Sequence, residues 1–304
     1  MRTKASLAAV LTLVVLLPSP AFAWGAVAHR ALTRRAIELL PASLKPLFLK
    51  NQDEFVLRSN DPDLWRLMFE DEVPNHQIDF GVDDYGTYPF AILPREYGAA
   101  IEKFGAATIR RHGTLPWRIQ ELFGALRRTF EGFARGQLYS ESNAIVYAAA
   151  LAHYVEDAHQ PFHAHQNYDG QLSGQRGVHS RFESELFERF EARLRITPAT
   201  ASHVTSARDL AFSIALDSFQ LVPQVLAADK SAVANRDTYD DAYFESFFSK
   251  VKVLLEQQLS RAVTVVASLI VSAWEDAGRP QLRVSVERPV QKVQKPQKPQ
   301  KVQQ

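Results

Sequence analysis

Cysteine is absent from all 304 residues. Disulfide bracing is therefore excluded, and a chain of this size must be held by its apolar core, by metal, or by both. A charge excess of one sign is missing as well, since the formal net charge is +1. That balance hides an uneven distribution: seven Lys/Arg and a single Glu lie from Arg279 onward, and Arg2 and Lys4 add two more cations, so the body between is slightly acidic. Such a body does not resemble one that grips nucleic acid by phosphate neutralisation alone. Convincing runs of strand-like alternation are missing too. Long hydrophobic runs are confined to the N-terminus, because the late apolar stretch Ala262 to Trp274 is too short to span a bilayer and is bracketed by Arg261 and Glu275.

The N-terminal run reads as an export signal. A basic start, an apolar segment from Ala5 to Leu17 and the small-residue site Ala21-Phe22-Ala23 are its three parts, so residues 1–23 are expected to be removed and the mature chain to begin at Trp24. Retention as a membrane anchor is the competing reading, and the shortness of the run argues against it. Export predicts a periplasmic or secreted protein with no transmembrane segment after processing.

What remains is 46% hydrophobic over the whole sequence, enough for a sizeable core. Apolar residues recur at three and four spacing in Ala31 to Leu40, Trp117 to Phe133, Ala144 to Val155, Phe182 to Leu194, Leu210 to Val222 and Tyr243 to Trp274. The expected fold class is all-α, a single multi-helical domain over 24–278. Two irregular segments interrupt it, Asp71 to Pro94 and His165 to Val178, rich in Gly, Asp, Asn and Tyr. Lys, Gln, Pro and Val repeat without periodicity at the end, so residues 279–304 read as a disordered basic tail. Contact with an anionic surface is one role for it, and a solvated, dispensable tail is the plainer one.

The strongest chemical signal is His153-Tyr-Val-Glu-Asp157-Ala-His-Gln-Pro-Phe-His163. His153 and Asp157 share one helical face, and Pro161 breaks the helix so that His163 turns in from another direction. His179 and Glu183 form a second pair at four spacing. One such pair is commonly a surface feature. Two pairs with a histidine between them inside 31 residues, in a chain with nine histidines, point instead to metal. His29, Asp63 and His76 are further donors upstream, each unremarkable alone as a cap or core residue. His159 and His165 flank donors and suit either supporting hydrogen bonds or solvent. His112 and His203 read as surface residues.

These motifs resemble the zinc-dependent phospholipase C and S1/P1 nuclease superfamily in three places: Trp24 after the processing site with His29 following, the His153/Asp157/His163 block, and His179/Glu183. The resemblance implies the superfamily's multi-helical fold and three Zn²⁺ ions. Asp63, His76, His153 and Asp157 would hold one, and His163, His179 and Glu183 a second. Trp24, through its free α-amine and carbonyl, would hold a third with His29 and a bridging Asp157. Asp61 competes with Asp63, which is preferred because Leu-Trp-Arg follows it as in the nuclease branch. An amide nitrogen does not ligate as an amine does, so removal of 1–23 would complete the site.

The implied chemistry is hydrolysis of a phosphodiester by metal-activated water, with Asp63 orienting that water as the expected catalytic base. Three zinc ions carry +6 against −3 from the carboxylates, so the site attracts an anionic phosphate despite the acidic body. Asp157 to His163 resembles the nuclease branch, whereas Glu183 and the lack of cysteine resemble the phospholipase branch, which is favoured. A phospholipid is thus the expected substrate, single-stranded nucleic acid the alternative, and no stable protein partner is implied. A nuclease needs aromatics to stack a base, and Phe80, Tyr85, Tyr88, Phe90 and Tyr168 are candidates unless they line lipid chains or pack the loops. A zinc-binding protein without turnover is the reading of another class, distinguished by closed coordination.

Overall fold

A computed structural model describes residues 25–282. Residues 1–24, with the expected export signal and Trp24, and residues 283–304, with most of the expected tail, lie outside the described residues. Twelve α-helical segments follow one another: α1 (Ala26–Ala36), α2 (Lys45–Lys50), α3 (Gln52–Arg58), α4 (Asp61–Met68), α5 (Tyr97–Phe104), α6 (Ala106–His112), α7 (Leu115–Ala134), α8 (Ser140–Ala158), α9 (Val178–Ser180), α10 (Leu186–Phe190), α11 (Ala207–Val233) and α12 (Asp241–Asp276). There is no strand among the described residues, and Phe80 and His165 form a lone parallel bridge. The protein is all-α. Each of the six periodic segments is helical over most of its length, whereas the five short helices α2 to α6 carry too little periodicity to be legible.

The core is organised around α8. It is buried on every side from Ala148 onward, because Ala144, Ala148, Ala149, Ala150 and Ala152 let α1, α3, α7 and α12 approach closely. α11 and α12 are long and apolar enough to cross a bilayer, a property of length and composition, but their apolar faces are buried against α7 and α8. The folded body also runs past the expected start of the tail: Pro280 is buried, and Trp274 Nε1 donates to its carbonyl at 3.0 Å. Residues 279–282 therefore belong with the body.

Periodicity places a helix to Leu194, but the α-helix stops at Phe190, and 194–206 runs extended beside α12. The backbone N–H groups of Arg195, Thr197, Ala199, Ser202 and Val204 donate to the side chains of Glu256, Ser260, Thr264, Ser268 and Ser272 at 2.7 to 3.1 Å. One helical step of four residues rises ~6 Å, close to the ~6.6 Å covered by two extended residues, so a four-spaced polar row matches an extended chain. This row satisfies amides that would otherwise be left without partners.

The irregular segment 71–94 is ordered by its own small core. Ile78, Phe80, Tyr85, Phe90 and Leu93 pack with Trp117 and Phe212. Three backbone bonds sew it to the junction of α6 and α7: Asp79 N to His112 O at 2.6 Å, Thr114 N to Pro74 O at 2.7 Å and Leu115 N to Gln77 O at 3.2 Å. Gly113 has φ +93°, and a Cβ there would stand 2.0 Å from Gln77 O, so only glycine allows the approach that seats the loop beside His76.

Asp79 lies in this same region with one carboxyl oxygen buried and without a hydrogen-bond partner, and burial pushes its pKa up to about 7. In the unfolded chain the carboxyl loses its proton near 4, so between pH 4 and 7 the folded state holds the extra proton and stability falls as pH rises. Asp79→Asn is expected to raise the melting temperature at pH 8, by up to ~4 kcal/mol of stability, and to have no such effect at pH 4. Equal melting shifts at both pH values would refute this account.

Candidate metal centre

Three α-helices, two 3₁₀ turns and the helical run 178–190 deliver the donors. α8 presents His153 and Asp157 one turn apart in its last two turns, and both are fully buried. α1 brings His29 alongside, with its ring stacked on that of His153 at 4.1 Å. α4 carries Pro62 in its first turn and buries Asp63, and the 3₁₀ turn Glu70–His76 ends on His76. Pro161 starts another 3₁₀ turn, Pro161–Ala164, which swings His163 in from beyond the end of α8. His179 and Glu183 lie on the helical run 178–190, which contains a π turn at Arg181–Glu185. The wider π turn, rather than a regular α-helix, sets their spacing.

All eight described donors are buried, and they fall into three adjoining sets: His29, His153 and Asp157; Asp63, His76 and His153; and His163, His179 and Glu183. Within each set the donor atoms lie within 4.8 Å of one another. Asp157 spans the first two. Its Oδ1 is 3.5 Å from His29 Nε2, and its Oδ2 is 3.0 Å from His76 Nδ1 and 3.3 Å from His153 Nε2. A carboxylate that turns one oxygen to each side has the disposition of a bridge. Asp63 is the aspartate that faces the cluster, whereas Asp61 pairs with Arg58 at 3.1 Å.

Histidine orientation is fixed from behind. His153 Nδ1 donates to Ser59 O at 2.8 Å, His163 Nδ1 to His76 O at 2.5 Å and His179 Nδ1 to Tyr168 O at 2.7 Å. With Nδ1 so engaged, the neutral rings turn Nε2 lone pairs inward, and those of His163 and His179 meet at 3.1 Å. A proton on His179, favoured by Glu183 at 2.5 Å, or a cation shared by the three groups relieves that opposition. Ten buried side-chain nitrogen and oxygen atoms lack a hydrogen-bond partner among the described residues. Half belong to these donors: His29 Nε2, Asp63 Oδ1, His76 Nε2, Asp157 Oδ1 and Glu183 Oε1. Unsatisfied buried polar atoms are costly and rare, so their concentration here fits a group that binds metal through imidazole and carboxylate.

Electrostatics separates the donors. Burial would raise the Asp157 pKa, but His153 and His163 outweigh it and hold the carboxyl well below its usual range. Burial pulls His163 down to about 3 and lowers His76, keeping both rings neutral. Burial also acts to lower His29, yet the Asp157 and Glu156 carboxylates prevail and push it up to about 10. Ligation through His29 Nε2 would therefore release a proton.

Glu156 escaped the sequence reading. It is fully buried, receives His29 Nδ1 at 2.5 Å and Thr33 Oγ1 at 3.0 Å, and sets the direction of the His29 ring. Gln160 is a second such residue: its amide donates to Glu183 at 3.0 Å while its carbonyl accepts Phe162 N at 2.5 Å. Their only signal was a place within the 153–163 block, because burial is not visible in spacing. Glu156→Ala is expected to leave the helical fold intact and to weaken metal affinity by about 10–100-fold, as read by competition with a chelator dye. Undiminished affinity would make Glu156 a packing residue alone.

The remaining candidates sort plainly. His159 is buried, with Nδ1 bonded to Val155 O at 2.7 Å and the ring facing Gln258 and Arg261 in a separate cleft, so it does not support the donors. His165 stacks on Phe219 at 4.7 Å. His203 is an exposed partner of Asp276, and His112 is largely covered, with Asp84 at 2.8 Å. Phe80, Tyr85 and Phe90 are buried in the loop core, while Tyr88 and Tyr168 are exposed. Set against known protein families and curated proteins, the chain matches none of them.

Proposed function

We propose that this protein is an exported zinc-dependent hydrolase of phosphodiester bonds, phospholipase C-like, with the multi-helical fold of the phospholipase C and P1 nuclease superfamily. The observation that carries the proposal is the set of three adjoining buried donor triads, two of them sharing His153 and spanned by Asp157, with five polar atoms that have no hydrogen-bond partner. Nitrogen and oxygen donors without sulfur suit zinc. Bound there, zinc supplies Lewis-acid polarisation of the phosphoryl group and a nucleophile at neutral pH.

The chain's own groups do the rest. Asp157 and His153 fix the spacing of neighbouring positions, Glu156 orients His29, and the His76 and Tyr168 carbonyls orient His163 and His179. Asp63 is the proposed base. It is buried at the cluster, with Arg66 Nε 3.3 Å from Oδ1 in an ion pair not aligned as a hydrogen bond. Trp24 is proposed as the ligand that processing creates; Gly25 is buried against Ser184, beside Glu183, and so leads the chain toward this region.

Phospholipid is favoured over nucleic acid because three of the five aromatics available to stack a base are used in packing. The exposed Tyr88 and Tyr168 keep a single-strand nuclease as the second reading. Metal content of the protein begun at Trp24, with parallel hydrolysis of phosphatidylcholine and single-stranded DNA, decides between them. Near three zinc per chain with lipid cleavage is expected. DNA cleavage alone would move the protein to the nuclease branch, full zinc without turnover would make it a binding protein, and no bound metal would end the proposal.

A further inference from the structure

Beside the metal centre the surface is unusually apolar. Leu64, Leu67, Met68, Phe69 and Val73 are 53, 58, 72, 57 and 46% exposed in one stretch of ten residues. Leu64, Leu67 and Met68 stand three and four apart and so share a face of α4. Leu67 lies one turn beyond the buried donor Asp63, and Val73 lies on the turn that ends at His76. The apolar ground is therefore continuous in the chain with two donors of one triad. A soluble surface scatters its exposed apolar residues, and their concentration at the rim of a site marks an interaction face.

The geometry points to the α4 face as a docking surface for a zwitterionic lipid layer, set so that headgroup phosphates arrive at the metal centre. This rests on the phospholipid reading above. A stable protein interface buries ~800 Å² and about 20–30 residues on each side, far more than five side chains already partly covered. Shallow insertion into a lipid layer needs only a few such side chains. Glu70 is exposed at the edge of the patch, beside Asp71 in its ion pair with Arg110, and the Glu70 charge disfavours an anionic layer and suits headgroups that end in a cation.

The test compares the exported protein with the variant Leu67→Ser/Met68→Ser/Phe69→Ser in sedimentation with phosphatidylcholine vesicles. Hydrolysis of a short-chain phosphatidylcholine below its micellar concentration is measured alongside. The triple variant is expected to bind vesicles at least about tenfold more weakly while hydrolysing the monomeric lipid at the wild-type rate. If circular dichroism shows the triple variant misfolded, Met68→Ser carries the test, with an expected weakening of about threefold. Unchanged vesicle binding overturns the docking face even when monomeric lipid is cleaved. Weakened binding with no cleavage by either protein retains the face and removes the phospholipase reading. A wild-type dimer in sedimentation velocity that the variant dissociates overturns the proposal by making a second copy the occupant.

Discussion

Asp157→Asn is expected to reduce the proposed phosphodiesterase activity by at least about a thousandfold and to leave less metal bound after dialysis than the wild type retains. The size follows from the position. Asp157 is fully buried, and its two oxygens face different donor sets, His29 on one side and His76 with His153 on the other. An amide at this position keeps the shape but has one oxygen and no charge, so it can serve one side only and leaves an NH₂ pointed at the other. His153 and His163 also lose the carboxylate that faces them. Helical content should remain near wild type, because the side chain contributes to the site rather than to the apolar core. Metal analysis and turnover on the same preparation check the expectation, and full activity with three metals retained would remove the bridge.

Stripping the metal with a chelator is expected to lower the melting temperature by at least about 10 °C, with recovery on adding zinc. Five buried donor atoms have no hydrogen-bond partner, and each buried polar atom left without a hydrogen bond costs ~1–3 kcal/mol. For a domain of about 250 residues, 1 kcal/mol corresponds to ~2–4 °C, which makes the sum large. Asp157, Glu156 and Glu183 are fully buried, and without cations each depends on histidines for compensation. No disulfide is available to hold the loops meanwhile. The segments 70–76 and 161–164 should open first, since each ends on or contains a donor, and amide exchange would locate them. A melting temperature indifferent to chelator would mean that the donors are satisfied without metal.

Fold class and most of the donor set were legible in the chain itself. The three and four spacing of apolar residues fixed the long helices, because burying one helical face has no other periodic solution. His153 with Asp157 showed as a pair because one turn of helix is a local relation, and Pro161 announced the change of direction that presents His163. The sequence also determined that no disulfide contributes and that the late apolar stretches are interrupted by charge.

Tertiary structure decided what depends on distance between segments. Asp63 was preferred over Asp61 from the Leu-Trp-Arg that follows it, but its meeting with His76 and His153 came from packing, which spacing could not reveal. Glu156 and Gln160 became visible only when α1 and the 178–190 run packed against the end of α8. The extended course of 194–206 needed the polar row on α12 as its partner, so its own residues could not announce it. The aromatics of 71–94 were ambiguous until packing separated the buried Phe80, Tyr85 and Phe90 from the exposed Tyr88. Local patterns record what one helix turn or one proline imposes; which side chains meet across the fold is settled by the packing of helices distant in sequence.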